Sequence, residues 1–413
     1  MATDTANRTM AARPRPGARP EAAARFRPGR AAVVVGIALV LAAALLAQAV
    51  TGALAGRQPL MAAQLPVPNG AADEQVAMIR HTAAVMSGLD PQEAARQARP
   101  LALRALAHDP LAPRAIAIAA LATEDSAARR AILDAGTAIN RRDLLLQGLT
   151  LEDRAARNDY RGTIETLDAL LRVHPEQRDL MFPLLLQALA QDAAVPEFVR
   201  FLDGSSVWHR TFLRHAAGQA EVLPNLGAFR LASRLDDAPF DRNLVIGLVA
   251  QGELDLAYRV YNRATGKQIG PLAPGPIDWS TELPPFDWQF PSQRGMRVNP
   301  QPENDRIELY VRGGQGGVIA RKLVRNPRAD FAIRVNENIS PPGAVSDLRL
   351  RLRCPGSGIW LFDRAFADGA QTFAIDLPPA DCRFLSLEIH ARAWSGQPPI
   401  QGTIDRLEII AAN

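Results

Sequence analysis

The chain has few of the side chains on which most catalytic and metal sites depend. Its 413 residues include two cysteines and six histidines, and no two histidines have the i, i+4 spacing with which a helix binds zinc. Adjacent acids such as Asp236 and Asp237 are typical of solvated faces or helix ends. We therefore expect no catalytic residues, no metal site, no cofactor and no enzymatic activity.

Outside the first thirty residues a net positive charge is absent, because basic and acidic side chains nearly balance. The whole chain has a net charge of +4. Residues 1–30 contain seven arginines and two acids, Asp4 and Glu21, which gives +5 and leaves about −1 for residues 31–413. A nucleic-acid-binding protein carries a basic surface on its folded part, so this distribution argues against nucleic acid as a partner. It favours a leader that orients a membrane segment.

Polar residues are almost absent from 31–56, which reads AAVVVGIALVLAAALLAQAVTGALAG. About 20 apolar residues are enough for a helix to cross a bilayer, and an arginine-rich flank normally stays in the cytoplasm. We predict a disordered basic cytoplasmic leader over 1–30, a single transmembrane helix over 31–56, and export of the rest. The alternative is a signal peptide cleaved after Ala53-Leu54-Ala55, which exports the same domains.

Lysine is nearly missing, with only Lys267 and Lys322 present, whereas arginine and alanine are abundant. This usage is typical of GC-rich bacterial genes. A bacterial protein with one N-terminal span and an exported remainder belongs to the inner membrane, with its C-terminal domains in the periplasm. In that oxidising compartment Cys354 and Cys382 are candidates for a disulfide. The alternative is two buried free thiols.

The part that follows the membrane segment divides by its proline content and apolar spacing into a linker over 57–70 and a helical region over 71–267. In the helical region Leu254, Ala257, Tyr258 and Tyr261 have i, i+3, i+4, i+7 spacing, which places them on one helix face. Segments with this pattern begin near residues 93, 123, 158 and 252, with weaker copies near 192 and 225.

These segments resemble the second half of a tetratricopeptide repeat. The pattern of this half runs small residue, aromatic, alanine, aromatic or leucine, alanine, then proline after the helix, and it is matched by Gly252, Leu254, Ala257, Tyr261 and Ala264. The resemblance implies a stack of helical hairpins with a concave groove that binds a protein partner. The number of repeats stays open, as do other helical-hairpin arrays.

Prolines mark a connector over 268–300, in which the motif PPFDWQF brings together Phe286, Trp288 and Phe290. Large apolar side chains need burial. We therefore predict that these three aromatics anchor the connector between the two domains. The alternative is an exposed recognition peptide.

Residues 301–413 contain eight short runs of alternating polarity, of which DLRLRLRC is the clearest. Such runs predict an antiparallel β-sandwich of the jelly-roll type. The GGQGG segment at 313–317 lacks the lysine and helix of a phosphate loop and predicts a hairpin turn instead.

Sandwiches of this type recur as carbohydrate-binding modules, in which aromatic side chains stack on sugar rings. Trp360 and Trp394 are the candidates for such contacts with a glycan or a partner. The candidate hydrogen-bond donors are the arginines Arg349, Arg351, Arg353 and Arg392. The alternative is a core tryptophan beneath an ordinary solvated sheet face, because fold alone does not confer sugar binding.

The whole order of elements resembles membrane-anchored envelope proteins of alphaproteobacteria, a type found beside polysaccharide-production genes. The resemblance implies a periplasmic scaffold or interaction protein in polysaccharide assembly or export. The alternative is a carbohydrate-binding protein in which the sandwich is the active module and the helices are a spacer. A hydrolase would require a pair of facing carboxylates in a cleft.

Overall fold

The computed structural model describes residues 28–267, 270–376 and 378–411, so most of the predicted 1–30 leader lies outside the described residues. The chain divides into two compact units, 1–136 and 137–413. Helices occupy the first unit and the start of the second, and antiparallel sheets follow. The predicted order of one apolar helix, a helical region and a β-region is confirmed at this level. The finer domain boundaries stay predictions.

Helix α1 covers Pro28–Ala55, and its residues 32–55 form a helix long and apolar enough to span a membrane. Its side chains from 32 onward are almost all exposed, as a helix that meets lipid rather than a protein core requires. The predicted span and this helix coincide to within three residues.

The first unit continues with short helices packed through alanine. They are α2 (Pro59–Ala62), α3 (Gly70–Met86), α4 (Pro91–His108), α5 (Pro113–Leu121) and α6 (Ser126–Ile139), whose last three residues belong to the second unit. Asn69 and Asp90 accept backbone hydrogen bonds at the starts of α3 and α4. Buried alanines such as Ala98 and Ala102 let the backbones of α3, α4 and α5 approach closely.

The second unit contains eight further α-helices among the described residues. They are α7 (Leu144–Ala156), α8 (Tyr160–Val173), α9 (Arg178–Leu189), α10 (Val195–Phe201), α11 (Val207–Ala216), α12 (Leu223–Ala232), α13 (Ala238–Ala250) and α14 (Leu254–Thr265). Across both units every second helix, α4, α6, α8, α10, α12 and α14, begins within three residues of a repeat start expected from the sequence. The alternation of the apolar spacing with turn residues therefore predicted the helix positions well.

In the described part of the chain after residue 270, twelve strands form three four-stranded antiparallel sheets. They are β1 (Gly275–Ile277), β2 (Met296–Gln301), β3 (Arg306–Val311), β4 (Gly316–Arg325), β5 (Phe331–Val335), β6 (Glu337–Ser340), β7 (Leu348–Arg353), β8 (Phe362–Ala365), β9 (Gln371–Ile375), β10 (Phe384–Arg392), β11 (Ile400–Asp405) and β12 (Leu407–Ala411). The sheet orders are β1-β12-β5-β9, β4-β10-β7-β8 and β2-β3-β11-β6. Their inner faces share one apolar core, as in a sandwich.

The prediction of a hairpin at GGQGG is wrong. The segment joins β3 to β4, which belong to different sheets and do not pair. Its glycines instead let the chain pass close to the loop after β10: a Cβ on Gly313 would lie 2.7 Å from the carbonyl oxygen of Gln397, and Gly314 donates to the Ala393 carbonyl. Alternation within each strand does not reveal which strands are partners.

Candidate functional site

The outer face of the β4-β10-β7-β8 sheet, called the Trp360 face here, carries most of the binding residues expected from the sequence. Alternation along β7 turns Leu348, Leu350 and Leu352 into the core and the three arginines outward. The guanidinium carbons of Arg351 and Arg353 lie 5.0 and 4.7 Å from the centroid of the Trp360 ring. These are cation–π distances, so the structure brings these three predicted residues together.

Beneath these arginines lies a carboxylate that sequence reasoning missed. Glu388 is 1% exposed and accepts two hydrogen bonds from Arg353, at 3.0 and 2.8 Å. His390 Nε2 lies 2.8 Å from Glu388 Oε2, and Ser386 donates to Oε1 at 3.0 Å. Burial works to raise the pKa of Glu388, but the bonds from His390, Arg353 and Ser386 lower it to about 2.

The remaining polar side chains of the Trp360 face are also engaged. Asp363 accepts from Arg349 and lies 3.2 Å from Arg351 Nε. Arg392 covers the Trp394 ring at 4.1 Å from its centroid, and Trp394 Nε1 donates to Asp347 Oδ1 at 2.9 Å. A ligand at this face would have to break contacts that the side chains already make with one another.

A different arrangement occupies the outer face of the β2-β3-β11-β6 sheet. There a groove of about 630 Å³ runs over all four strands. We call it the Tyr310 groove, because Tyr310 is its one aromatic side chain and is 39% exposed. Its other polar lining side chains are Arg297, Asn299, Glu308, Asn338, Ser340, Gln401 and Thr403.

The strand register arranges these eight side chains in two rows. Arg297, Tyr310, Gln401 and Ser340 are direct neighbours across the four strands, and so are Asn299, Glu308, Thr403 and Asn338. Neighbouring strands lie about 4.8 Å apart, so each row is roughly 14 Å long. The intervening residues Leu309, Ile339 and Ile404 are buried in the core, which fixes the outward direction of both rows.

None of the eight side chains has a hydrogen bond or ion pair with another side chain or backbone group in the described parts of the chain. Their amide, hydroxyl, carboxylate and guanidinium groups are therefore available to a ligand. Gly402 shapes the floor: its φ is +153°, and a Cβ there would lie 2.1 Å from the Asn338 carbonyl oxygen. Only glycine allows β6 to approach β11 so closely.

The structure places the three connector aromatics in two different cores. Phe286 contacts Tyr258 and Tyr261 of α14 and Phe384 of β10, with ring centroids 5.3, 5.3 and 5.9 Å apart. Trp288 is buried in the sheet core beside Trp279 at 4.6 Å. Phe290 packs against the same core and is half-buried.

The two cysteines lie at one end of the sheet that contains β7 and β10. Cys354 follows β7 directly and Cys382 precedes β10, which pairs with β7. Their Cα atoms are 5.6 Å apart and their sulfur atoms are bonded. The bond links the two strands whose outer side chains build the Trp360 face.

Comparison with known proteins gives no family for this chain. No protein-family profile matches it, and no curated protein sequence does. Among solved structures, a Cellvibrio japonicus Xylanase10C mutant in complex with xylopentaose is similar with a TM-score of 0.24 and 16% identity, over 33% of this chain and 28% of that one. The MamA RS-1 ArsTM double mutant has a TM-score of 0.22 and 10% identity, over 47% and 93% of the two chains. TmCBM61 in complex with beta-1,4-galactotriose has a TM-score of 0.21 and 9% identity, over 30% and 88%. Likenesses at these TM-scores support no conclusion about fold or ligand.

Proposed function

We propose that this chain is a membrane-anchored envelope protein that binds a polysaccharide in the Tyr310 groove and docks a protein on its helices. In this proposal α1 stays in the bacterial inner membrane and the other domains lie in the periplasm. The helices form a tetratricopeptide-like array, and the sheets form a jelly-roll-like sandwich. The assembly or export of a polysaccharide is the process in which both activities would be used.

The Tyr310 groove is the observation that carries the glycan proposal. A sugar presents many hydroxyl groups, each of which donates and accepts, so its site needs a dense set of unpaired amide, hydroxyl and charged groups. The groove offers seven such side chains and one exposed aromatic ring as an apolar surface. Its single arginine and single glutamate balance, which favours a neutral sugar over a phosphate.

The test measures retention of the full chain, in detergent micelles, on native gels that contain purified neutral polysaccharides. We expect Tyr310→Ala and Gln401→Ala to weaken retention about tenfold, since each removes contacts worth one or more kcal/mol. Trp394→Ala is the matched control, because Trp394 is an exposed aromatic in the loop after β10 and does not line the groove. Equal loss in the control, or full retention by Tyr310→Ala, would refute the groove as the binding site.

A second observation supports protein docking on the helices. Val207 at the start of α11 is 87% exposed and borders a groove of about 440 Å³ that also contains Trp208, Arg172 and Arg178. Arg172 already pairs with Asp168 at 2.8 Å. The exposed aliphatic side chain next to the exposed guanidinium of Arg178 suits a peptide that combines an apolar and an acidic residue.

A photo-crosslinking residue at Val207 in intact cells tests this docking surface. We expect a discrete crosslinked product that Arg178→Glu removes by reversing the charge of the groove. The same crosslinker at Ile246, an exposed position on α13, should not give this product. A product that persists in Arg178→Glu, or that forms equally from Ile246, would contradict the proposal.

A further inference from the structure

A cavity of about 450 Å³ lies between α14, β4 and the chain that joins them. Apolar and aromatic side chains make up much of its wall, among them Tyr258, Leu272, Phe286 and Leu323. The Tyr258 and Phe286 rings meet edge to face, with centroids 5.3 Å apart, so this wall is well packed. A cavity of this size and lining is typical of sites for small organic molecules.

Both lysines of the chain, Lys267 and Lys322, line this cavity. The Lys322 side chain is 12% exposed, and its Nζ lies 4.0 Å from Asp287 Oδ1, which is beyond hydrogen-bonding distance. The two oxygens of Asp287 already accept from the Tyr261 hydroxyl and the Leu283 amide, both at 2.9 Å. Among the described residues no hydrogen bond is found from the Lys322 ammonium, whose other near partner is the Trp288 ring, with the centroid 6.0 Å from Nζ.

The charges of the cavity do not balance. Three cationic side chains, Lys267, Lys322 and Arg325, face two acids, Asp278 and Asp287. Burial lowers the pKa of Lys322, against the attraction of Asp287 and Asp278. One negative charge placed next to Nζ would balance the set and give the ammonium an acceptor.

We propose that this cavity binds a small organic acid whose single carboxylate accepts hydrogen bonds from Lys322 and whose apolar or ring-shaped body lies against Tyr258 and Phe286. An ammonium accommodates one carboxylate without the planar geometry that an arginine imposes. A doubly charged anion such as inorganic phosphate is disfavoured by Asp287. The site is independent of the Tyr310 groove, which is built on a different sheet.

The scarcity of lysine makes the test direct. Reductive methylation with ¹³C-formaldehyde keeps the charge of an amine and labels only Lys267, Lys322 and a free N-terminus in the full chain. In detergent micelles we expect benzoate to shift the Lys322 methyl signal saturably. Benzamide, which has the same shape without the charge, should bind roughly tenfold more weakly or not at all. Lys267→Arg assigns the signals, because it removes only the methyl signal of Lys267.

Two results would overturn the proposal. One is a Lys322 signal unmoved by benzoate up to about 10 mM, where a ligand with a millimolar Kd would saturate the site. The other is an equal shift with benzamide. Both comparisons use a chain that keeps Lys322 in its methylated, still charged form, so they do not depend on whether Lys322→Met folds. Where Lys322→Met folds, its loss of benzoate binding by calorimetry is the expected result.

Discussion

The ring of Phe286 packs edge to face against the ring of Tyr258, so a residue of the proline-rich connector belongs to the same buried apolar cluster as α14. Phe286 is 3% exposed and also contacts Phe384 of β10. The helical part of the second unit and its sheets therefore share buried surface at this side chain. Removing the ring would leave a cavity between them.

We expect Phe286→Ala to lower the free energy of unfolding of the second unit by about 3 to 5 kcal/mol, the usual cost of truncating a buried phenylalanine. Tryptophan fluorescence during thermal unfolding checks this, since four of the five tryptophans lie after residue 270. Phe290→Ala is the matched control and should cost less, because Phe290 is only half-buried. A larger loss for Phe290→Ala would contradict this account of the interface.

Glu388 should make the β-sheets sensitive to acid. Its folded-state pKa of about 2 lies below the ordinary value of 4.5. Its contribution to stability is therefore fully present above pH 4.5 and is lost as the pH falls towards 2. We expect Glu388→Gln to be less stable than the parent chain at pH 7, with a gap that closes below pH 4.5. Thermal unfolding at a series of pH values checks this, and a gap that widens in acid would be the opposite result.

Comparing the two outer sheet faces explains what sequence could and could not predict. The alternation LRLRLR at 348–353 identified an outward row of arginines, and the structure has that row. That the arginines are engaged by Glu388 and Asp363 depends on register with β10 and β8, which a single strand does not encode. The eight predicted runs likewise missed β1, β2 and β6, which are short or contain proline.

The Tyr310 groove was missed for the same reason. Its two rows combine residues from four strands that are up to about 100 positions apart in the chain. The signal that was present is local: RIELYV alternates, and Glu308 and Tyr310 fall on its outward positions. Only the pairing of β3 with β2 and β11 turns these separate residues into one site.

The disulfide between Cys354 and Cys382 should stabilise the β-sheets under oxidising conditions. Cys354 and Cys382 close a loop of 28 residues, and the chain-entropy relation assigns such a loop about 3 to 4 kcal/mol of stabilisation. We expect reductant to lower the unfolding temperature of the parent chain. The variant in which both cysteines are serine should be less stable and insensitive to reductant. Equal stability of all these forms would show that the bond does not contribute.

The Gly402→Ala variant tests how closely β6 and β11 approach each other at the floor of the Tyr310 groove. A methyl group at this position would meet the Asn338 carbonyl oxygen and the Ile339 Cα, so β6 would have to move away from β11. We expect Gly402→Ala to destabilise the sheets by about 1 to 3 kcal/mol. We also expect it to weaken polysaccharide retention more than Gly358→Ala, since Gly358 has open space around it. Unchanged retention and stability would contradict the close approach of the two strands.

The orientation of the membrane helix is the prediction on which the proposed compartment depends. Six arginines precede α1 and a seventh, Arg30, lies at its start, and positively charged flanks stay in the cytoplasm. A reporter that is active only in the periplasm, fused after Asn413, should therefore be active, and its cytoplasmic counterpart should not. Replacing the seven arginines with glutamine should reduce this asymmetry, because the orienting charge is then gone.

Alkaline extraction followed by immunoblotting separates a retained helix, which stays with the membrane, from a cleaved signal peptide, which releases a chain shorter by about 55 residues. Cytoplasmic reporter activity would remove the periplasmic assignment, and with it the oxidising conditions that the disulfide requires.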